Sequence, residues 1–207
     1  GANATSLTSR GGSLITANDF NPERIQIDDL NNSSVLLPNV NVGAQLSSIT
    51  GAVSYDFNNY EVLVSTAPTV VQPSTLQKEV TNLTSSATQL TVATFNVENL
   101  DPSDTTFNAI ASAIVSNMKS PDIINLEEIQ DNNGATNDGT VDANVTLQTL
   151  INAIAAAGGP TYEYRQINPV NNQDGGEPGG NIRVAFLFNP NRVSFVEGSL
   201  QRLTDTN

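Results

Sequence analysis

The stretch Pro121-Asp122-Ile123-Ile124-Asn125-Leu126-Glu127-Glu128-Ile129-Gln130 decides how this chain reads. Residues 123–129 are a short apolar run, opened by a proline and ending in carboxylates. That length and those boundaries fit a strand buried in a sheet. The preceding strand is expected over residues 91–97, with apolar Val92, Phe95 and Val97. Between the two, Phe107, Ile110, Ala111, Ile114, Val115 and Met118 recur at i, i+3, i+4, i+7, the stripe of an amphipathic helix over three turns. Asp101-Pro102 reads as its N-cap and first helical position, and Ser120-Pro121 stops it.

Working outward, a polar loop over residues 131–142 leads to a second helix whose buried stripe is Leu147, Leu150, Ile151 and Ile154. Gly158-Gly159-Pro160 closes it. Residues 162–167 alternate as a strand, and a Gly/Asn/Asp/Pro loop follows over 168–180. Residues 182–188 and 193–196 then predict a hairpin across Asn189-Pro190-Asn191-Arg192. Residues 90–207 thus read β-α-β-α-β-β, a sheet covered by helices and made mixed by the closing hairpin.

The N-terminal part has a different texture. Residues 1–13 are Gly, Ser, Thr and Asn, a linker or frayed terminus. Residues 14–71 predict an all-β module, with apolar runs at 25–27, 46–53 and 60–64 separated by Asn31-Asn32-Ser33-Ser34 and Asp56-Phe57-Asn58-Asn59. Strands this short suggest a small barrel or open sandwich. Residues 72–89 read as a linker, with room for a turn of helix at 76–83. The fold class expected is α+β: a small all-β module, then the first half of a layered α/β domain with mixed sheets.

Composition sets outer bounds. The 207 residues are 38% hydrophobic, enough for one medium domain or two small ones. No apolar run approaches the ~20 residues of a membrane span. With no cysteine there are no disulfide partners, thiolate metal sites or thiol nucleophiles. A net charge of −13 repels phosphate backbones, so a nucleic acid would have to be held locally, by a divalent cation and a few arginines. The same acidity is also a plain solubility adaptation. A cysteine-free chain rich in Asn, Thr and Ser resembles exported bacterial proteins, so the expected location is secreted or cell-surface.

Three stretches concentrate polar groups at strand ends, where open α/β sheets place ligands. They are Thr94-Phe95-Asn96-Val97-Glu98-Asn99-Leu100, residues 121–130, and Gly179-Gly180-Asn181-Ile182-Arg183-Val184-Ala185-Phe186-Leu187-Phe188. An acid with an amide neighbour suits a hard divalent cation. Each feature also has an ordinary structural use. A terminal Glu is commonly just solvated, Asn often satisfies local backbone, and paired glycines serve loops of positive φ.

Taken together, these motifs resemble the endonuclease/exonuclease/phosphatase superfamily, the deoxyribonuclease-like fold. Ala93-Thr94-Phe95-Asn96-Val97 matches its first-strand motif, and about thirty positions later Asp122-Ile123-Ile124-Asn125-Leu126-Glu127-Glu128 matches its Asp-Ile-x-x-Leu-Gln-Glu motif, with Glu127 in place of the usual Gln. Residues 180–188 look like the strand that follows in secreted bacterial members. Residues 21–28 and 48–55 resemble the oligonucleotide/oligosaccharide-binding (OB-fold-like) module that often precedes the catalytic domain there.

The resemblance implies a four-layer α/β-sandwich, of which residues 90–207 would be the N-terminal half. It implies a secreted nuclease that hydrolyses phosphodiesters of nucleic acid with Mg²⁺, Mn²⁺ or Ca²⁺ being alternatives. Glu128 would be the principal metal ligand, Asn96 would assist at the metal or phosphate, and Asn181 and Arg183 would contact substrate. The family mechanism also needs a histidine, an Asp-x-Asn pair and a Ser-Asp-His motif, and this sequence has no histidine. The expectation is therefore part of a longer enzyme. Rival readings are a non-catalytic surface or matrix protein reusing the fold, and a phosphatase or lipid phosphodiesterase of the same superfamily. These residues alone should give no phosphodiesterase turnover with Mg²⁺ in an assay on bis-p-nitrophenyl phosphate or plasmid DNA; robust hydrolysis would overturn the mechanism.

Overall fold

The computed structural model describes Leu7 and residues 25–29, 35–57, 59–173 and 177–202. The fold is a mixed α+β one, and the chain divides into two compact units, Gly1–Gln77 and Lys78–Asn207. Most of the expected leading linker, the start of the β module and the Asn31–Ser34 turn lie outside the described residues.

In the first unit, strand β1 (Gln26–Asp28) runs parallel to β4 (Asn59–Val64), and β4 pairs antiparallel with β3 (Gly51–Asp56). A separate antiparallel pair joins β2 (Gln45–Leu46) to β5 (Val70–Gln72). The apolar run at 46–53 is therefore not one strand. It bends after Leu46, where the Ser47 N–H donates to the Thr69 carbonyl (2.8 Å) and its hydroxyl accepts from the Thr69 N–H (3.0 Å). Satisfying Ser47 in this way sends the chain from one sheet to the other. β5 straddles the expected start of the linker, since pairing with β2 recruits Gln72 to the sheet. Residues 76–83 form no helix; the Leu76 and Leu83 amides are instead taken by the Ser74 and Thr81 hydroxyls, the local competition that disfavours helix at such residues.

In the second unit, four strands form one sheet in the order β6-β7-β9-β8: β6 (Val92–Leu100), β7 (Ile123–Ile129), β9 (Arg183–Phe188) and β8 (Glu163–Gln166). β6 and β7 are parallel, and β9 runs antiparallel to both β7 and β8. The sheet is thus mixed through the direction of β9. The expected partner strand at 193–196 is absent. There the chain turns on hydrogen bonds from the Arg192 and Val193 amides to the Asn189 carbonyl.

One face of this sheet is covered. Phe95, Val97, Ile124, Leu126, Tyr164, Ala185 and Leu187 pack under the two helices, against Phe107, Ile110, Ala111, Ile114, Leu147, Leu150, Ile151 and Ile154. The first helix departs from expectation at both ends. α1 (Phe107–Ser112) starts after a separate turn in which Asp101 accepts from Ser103 and is itself held by the Asp104 carboxylate. Asp101 caps that turn and not the helix. α1 then widens into a π-helical turn, Ala113–Asn117, closed by the Met118 N–H on the Ala113 carbonyl. Widening keeps Ile114 fully buried while the chain leaves through Lys119 and Ser120, both at positive φ, ahead of Pro121.

α2 (Asn144–Ala156) ends as its glycines dictate. Gly158, at φ 90°, donates to the Ala155 carbonyl, and the Gly159 amide reaches back to Ile154, the paired bonds of a Schellman closure. At the other end no N-cap side chain serves. The Asn132 carboxamide and Asp142 carboxylate accept from the Val145 and Asn144 amides instead.

Asp122 fastens the start of β7 to its surroundings. It is 2% exposed and accepts from the Thr91 N–H (2.8 Å), the Thr91 hydroxyl and the Arg192 Nε (2.8 Å). Arg192 also donates to the Ser86 and Gln89 carbonyls. Burial pushes the Asp122 carboxyl up, but the Thr91 amide and the Arg192 guanidinium outweigh it, and the group sits below the usual carboxylate range. Beside it, burial and the Asp122 charge push the Tyr162 phenol up, so its hydroxyl stays protonated and donates to the Pro121 carbonyl. Because the folded carboxyl is the stronger acid, its contribution is complete above the unfolded pKa and is lost as pH falls through the folded one. Asp122→Asn should cost about 2 kcal/mol at neutral pH and flatten the acid limb of stability, measured by urea unfolding at stepped pH.

Candidate functional site

The parallel strands β6 and β7 end side by side, and both ends are bulged. Register jumps between Asn96 and Leu100 on β6 and between Leu126 and Ile129 on β7. The inserted residues carry the strain: Glu98 and Asn99 on β6 and Glu128 on β7 have φ of 59°, 58° and 62°. Left-handed backbone costs a glutamate roughly 1 kcal/mol or more, and bulges at a strand terminus re-aim side chains. Here they turn polar groups out at the end of a buried strand pair.

Asn96 ties the two bulges together. Its Oδ1 accepts the Glu98 amide (2.8 Å) and its Nδ2 donates to the Glu128 Oε1 (2.6 Å). One carboxamide therefore fixes the β6 bulge and the orientation of the β7 carboxylate. Two residues earlier, on the uncovered face, a second set repeats the arrangement. Asn125 donates to the Thr94 hydroxyl (3.1 Å), and Thr94 donates to the Glu127 Oε1 (2.6 Å). The Asn125 Oδ1 is buried with no hydrogen-bond partner. Thr94, Asn125 and Glu127 were not expected as site residues. Their signal was in the sequence as polar residues at every second position of strands otherwise apolar.

The donor set is one of hard oxygens: two neighbouring carboxylates, an amide and a hydroxyl. That fits a hard divalent cation by chemistry. Among the described residues no three His, Cys, Asp or Glu side chains gather around one point. A cation at Glu128 would then keep most of its shell as water or take it from a substrate, as Mg²⁺ commonly does.

Asn181 and Arg183, the other two expected site residues, form a buried clamp between loops. Asn181 sits at φ 47° and is 6% exposed. Its Nδ2 lies within hydrogen-bonding distance of the Asp131 carboxylate (2.9 Å) and the Thr140 carbonyl (2.7 Å), while its Oδ1 accepts from the Asn172 amide. Arg183, 7% exposed, donates to the carbonyls of Val141 and Asn181 and to the side chains of Gln166 and Asn168. Together they pin the loops at 131–142, 166–172 and 177–181. The structure thus brings Asn96 together with Glu128, and Asn181 together with Arg183, in two hydrogen-bonded groups. Next to the clamp, Gly180 is held so close to Gln130 that an added Cβ would lie 2.8 Å from its amide nitrogen.

A family model described as a domain of unknown function (DUF8508) matches residues 1–75, within the first unit. No curated protein and no solved structure matches the chain.

The bulge geometry predicts an unusual stability order at Glu128. Glu128→Gly should be more stable than Glu128→Ala by about 1 kcal/mol in denaturant unfolding, because glycine alone adopts the left-handed position freely. Equal or reversed stabilities would show that the backbone there is unstrained.

Proposed function

We propose that the second unit is the N-terminal half of an endonuclease/exonuclease/phosphatase-type domain, and that the chain belongs to a secreted, Mg²⁺-dependent nuclease. The observation that carries this reading is the Asn96–Glu128 hydrogen bond between two bulged strand ends. The two residues that the family motifs single out, about thirty positions apart, are in direct contact at the mouth of a sheet. The uncovered face supports the layered architecture as well. Val92, Val184 and Phe186 stand on it at 68%, 50% and 43% exposure, the kind of surface on which a second sheet stacks. Among the described residues of the first unit, five short strands and no helix suit an OB-fold-like module.

In this reading Glu128 holds the cation. Asn96, whose oxygen already accepts from Glu98, acts mainly by orienting that carboxylate. Bound Mg²⁺ would supply charge neutralisation at the scissile phosphate. Glu127, standing where the family has Gln, adds a second negative charge next to the site and strengthens attraction for the ion. Asn181 and Arg183 act by positioning the loops that border the strand ends, not by free contact with substrate. A phosphatase or lipid phosphodiesterase of the same superfamily would use the same pair. A non-catalytic surface protein is the second reading, and the absence of histidine together with the charge of −13 favours it.

Titration of the whole chain with Mn²⁺, followed by the loss of free-ion paramagnetic signal, tests the proposal. One site of weak affinity is expected, roughly 0.1–1 mM. Glu128→Gln should weaken it at least tenfold, and Asn96→Ala by a smaller factor. Binding indifferent to both substitutions would exclude a cation site at this pair.

A further inference from the structure

The loop between β7 and α2 carries the sequence's one Asn-Gly step, Asn133-Gly134. That dipeptide has a chemistry of its own. The backbone nitrogen after an asparagine can attack the side-chain carbonyl carbon and close a five-membered ring. A following glycine leaves the approach unhindered, because it has no Cβ.

The fold keeps the two residues together. Gly134 lies at φ 64°, and an added Cβ would stand 2.5 Å from the Asp101 carboxylate, so backbone conformation and space both require glycine there. Asn133 is exposed, and its side chain spans the loop. Its Nδ2 donates to the Asp138 Oδ2 (2.8 Å) and reaches the Thr140 hydroxyl (3.5 Å). Bridging a carboxylate in this way takes a donor, which an amide has and an acid lacks.

The attacking nitrogen is weakly held. The Gly134 N–H meets the Asp131 carbonyl only at 3.5 Å, beyond the usual hydrogen-bond range, so little is lost when that nitrogen turns toward Asn133. Asp138-Gly139, in the same loop, is a second pair able to close a ring, but its electrophile is an ionised carboxylate, which resists attack. The Thr140 amide, then the Thr140 hydroxyl and the Asn133 amide, hold the Asp138 carboxyl below its usual range. Asn133 offers an uncharged carboxamide, the better electrophile of the two.

We propose that Asn133 is a site of spontaneous deamidation, and that the change opens the loop tip at residues 133–139. The Gly134 nitrogen bonds to the Asn133 Cγ, the Cγ–Nδ2 bond breaks, and the amide leaves as ammonia with the proton from Gly134. Water then opens the resulting succinimide at either carbonyl, giving aspartate or isoaspartate. Either product puts a carboxylate where the donor stood. The bond across the loop is lost and a like charge faces Asp138. Contacts of the tip with the next loop then loosen, namely the Asn172 Nδ2 on the Asn137 Oδ1 (2.7 Å) and Gly179 against the Ala135 carbonyl.

Ageing the whole chain in mildly alkaline buffer tests this. Isoelectric focusing should resolve a form with one more negative charge that accumulates with time. Peptide mass spectrometry should place aspartate and isoaspartate at position 133. Hydroxylamine, which cleaves succinimides, should cut the folded chain between Asn133 and Gly134. Asn133→Gln, whose longer side chain closes a ring far more slowly, should show no conversion at that position. Asn133→Asp, made directly, should keep the parent's circular dichroism and raise amide exchange over residues 134–139 about tenfold or more. Conversion in urea but not in the folded chain would overturn the proposal, as would an acidic form accumulating at the parent's rate in Asn133→Gln. Exchange unchanged in Asn133→Asp would overturn the opening of the tip.

Discussion

The second unit depends on one-sided burial of its sheet. Every strand of β6-β7-β9 alternates, and among the residues that face the helices Ile124, Leu126 and Leu187 are fully buried, as are Leu100 and Ile129 just past the bulges. Period-two alternation makes register unforgiving, since a slip of one residue would turn the core face to solvent. Because Ile124 and Leu126 are fixed inward, Asn125 and Glu127 are fixed outward. The same constraint puts Thr94 and Asn96 on the outer face of the neighbouring strand. The polar site is thus the reverse side of the core.

The bulges add what alternation cannot. In a regular strand Glu128 would follow Leu126 onto the helix-covered face and bury a carboxylate. Left-handed backbone at Glu128 lets Ile129 take the buried place and releases the carboxylate toward Asn96. The strain is local and is offset by the Asn96 bridge. Farther out, the buried Asp131–Asn181 and Arg183 contacts hold loops that carry little apolar surface of their own. A buried polar network of that kind is stable only when its members are hydrogen-bonded, and here the guanidinium and the carboxamide find acceptors in several loops.

The two units differ in how they are stabilised. The first holds few buried apolar side chains among the described residues, Val35, Val64 and Pro68. Its described aromatic side chains, Tyr55, Phe57 and Tyr60, are exposed. The second has a continuous core from both helices and all four strands.

Local sequence pattern by itself determined the strand at Ile123–Ile129, the stripes of both helices, and the glycine closure of α2, because burial periodicity and backbone sterics are set over a few residues. It also pointed to Asn96 and Glu128, though only as strand-end residues with a familiar spacing. Tertiary structure alone decided the rest. Asp101-Pro102 has the chemistry of a helix cap, yet the turn with Asp104 takes it. Residues 193–196 alternate like a strand, yet Arg192 is committed to Asp122 and Phe195 lies under the Arg165 guanidinium, 4.6 Å from its ring centre. The split of the run at 46–53 depends on Thr69, a residue far along the chain. Arg183 and Asn181 look available in sequence and are enclosed in the fold, because the acceptors that enclose them come from loops as much as 50 positions away.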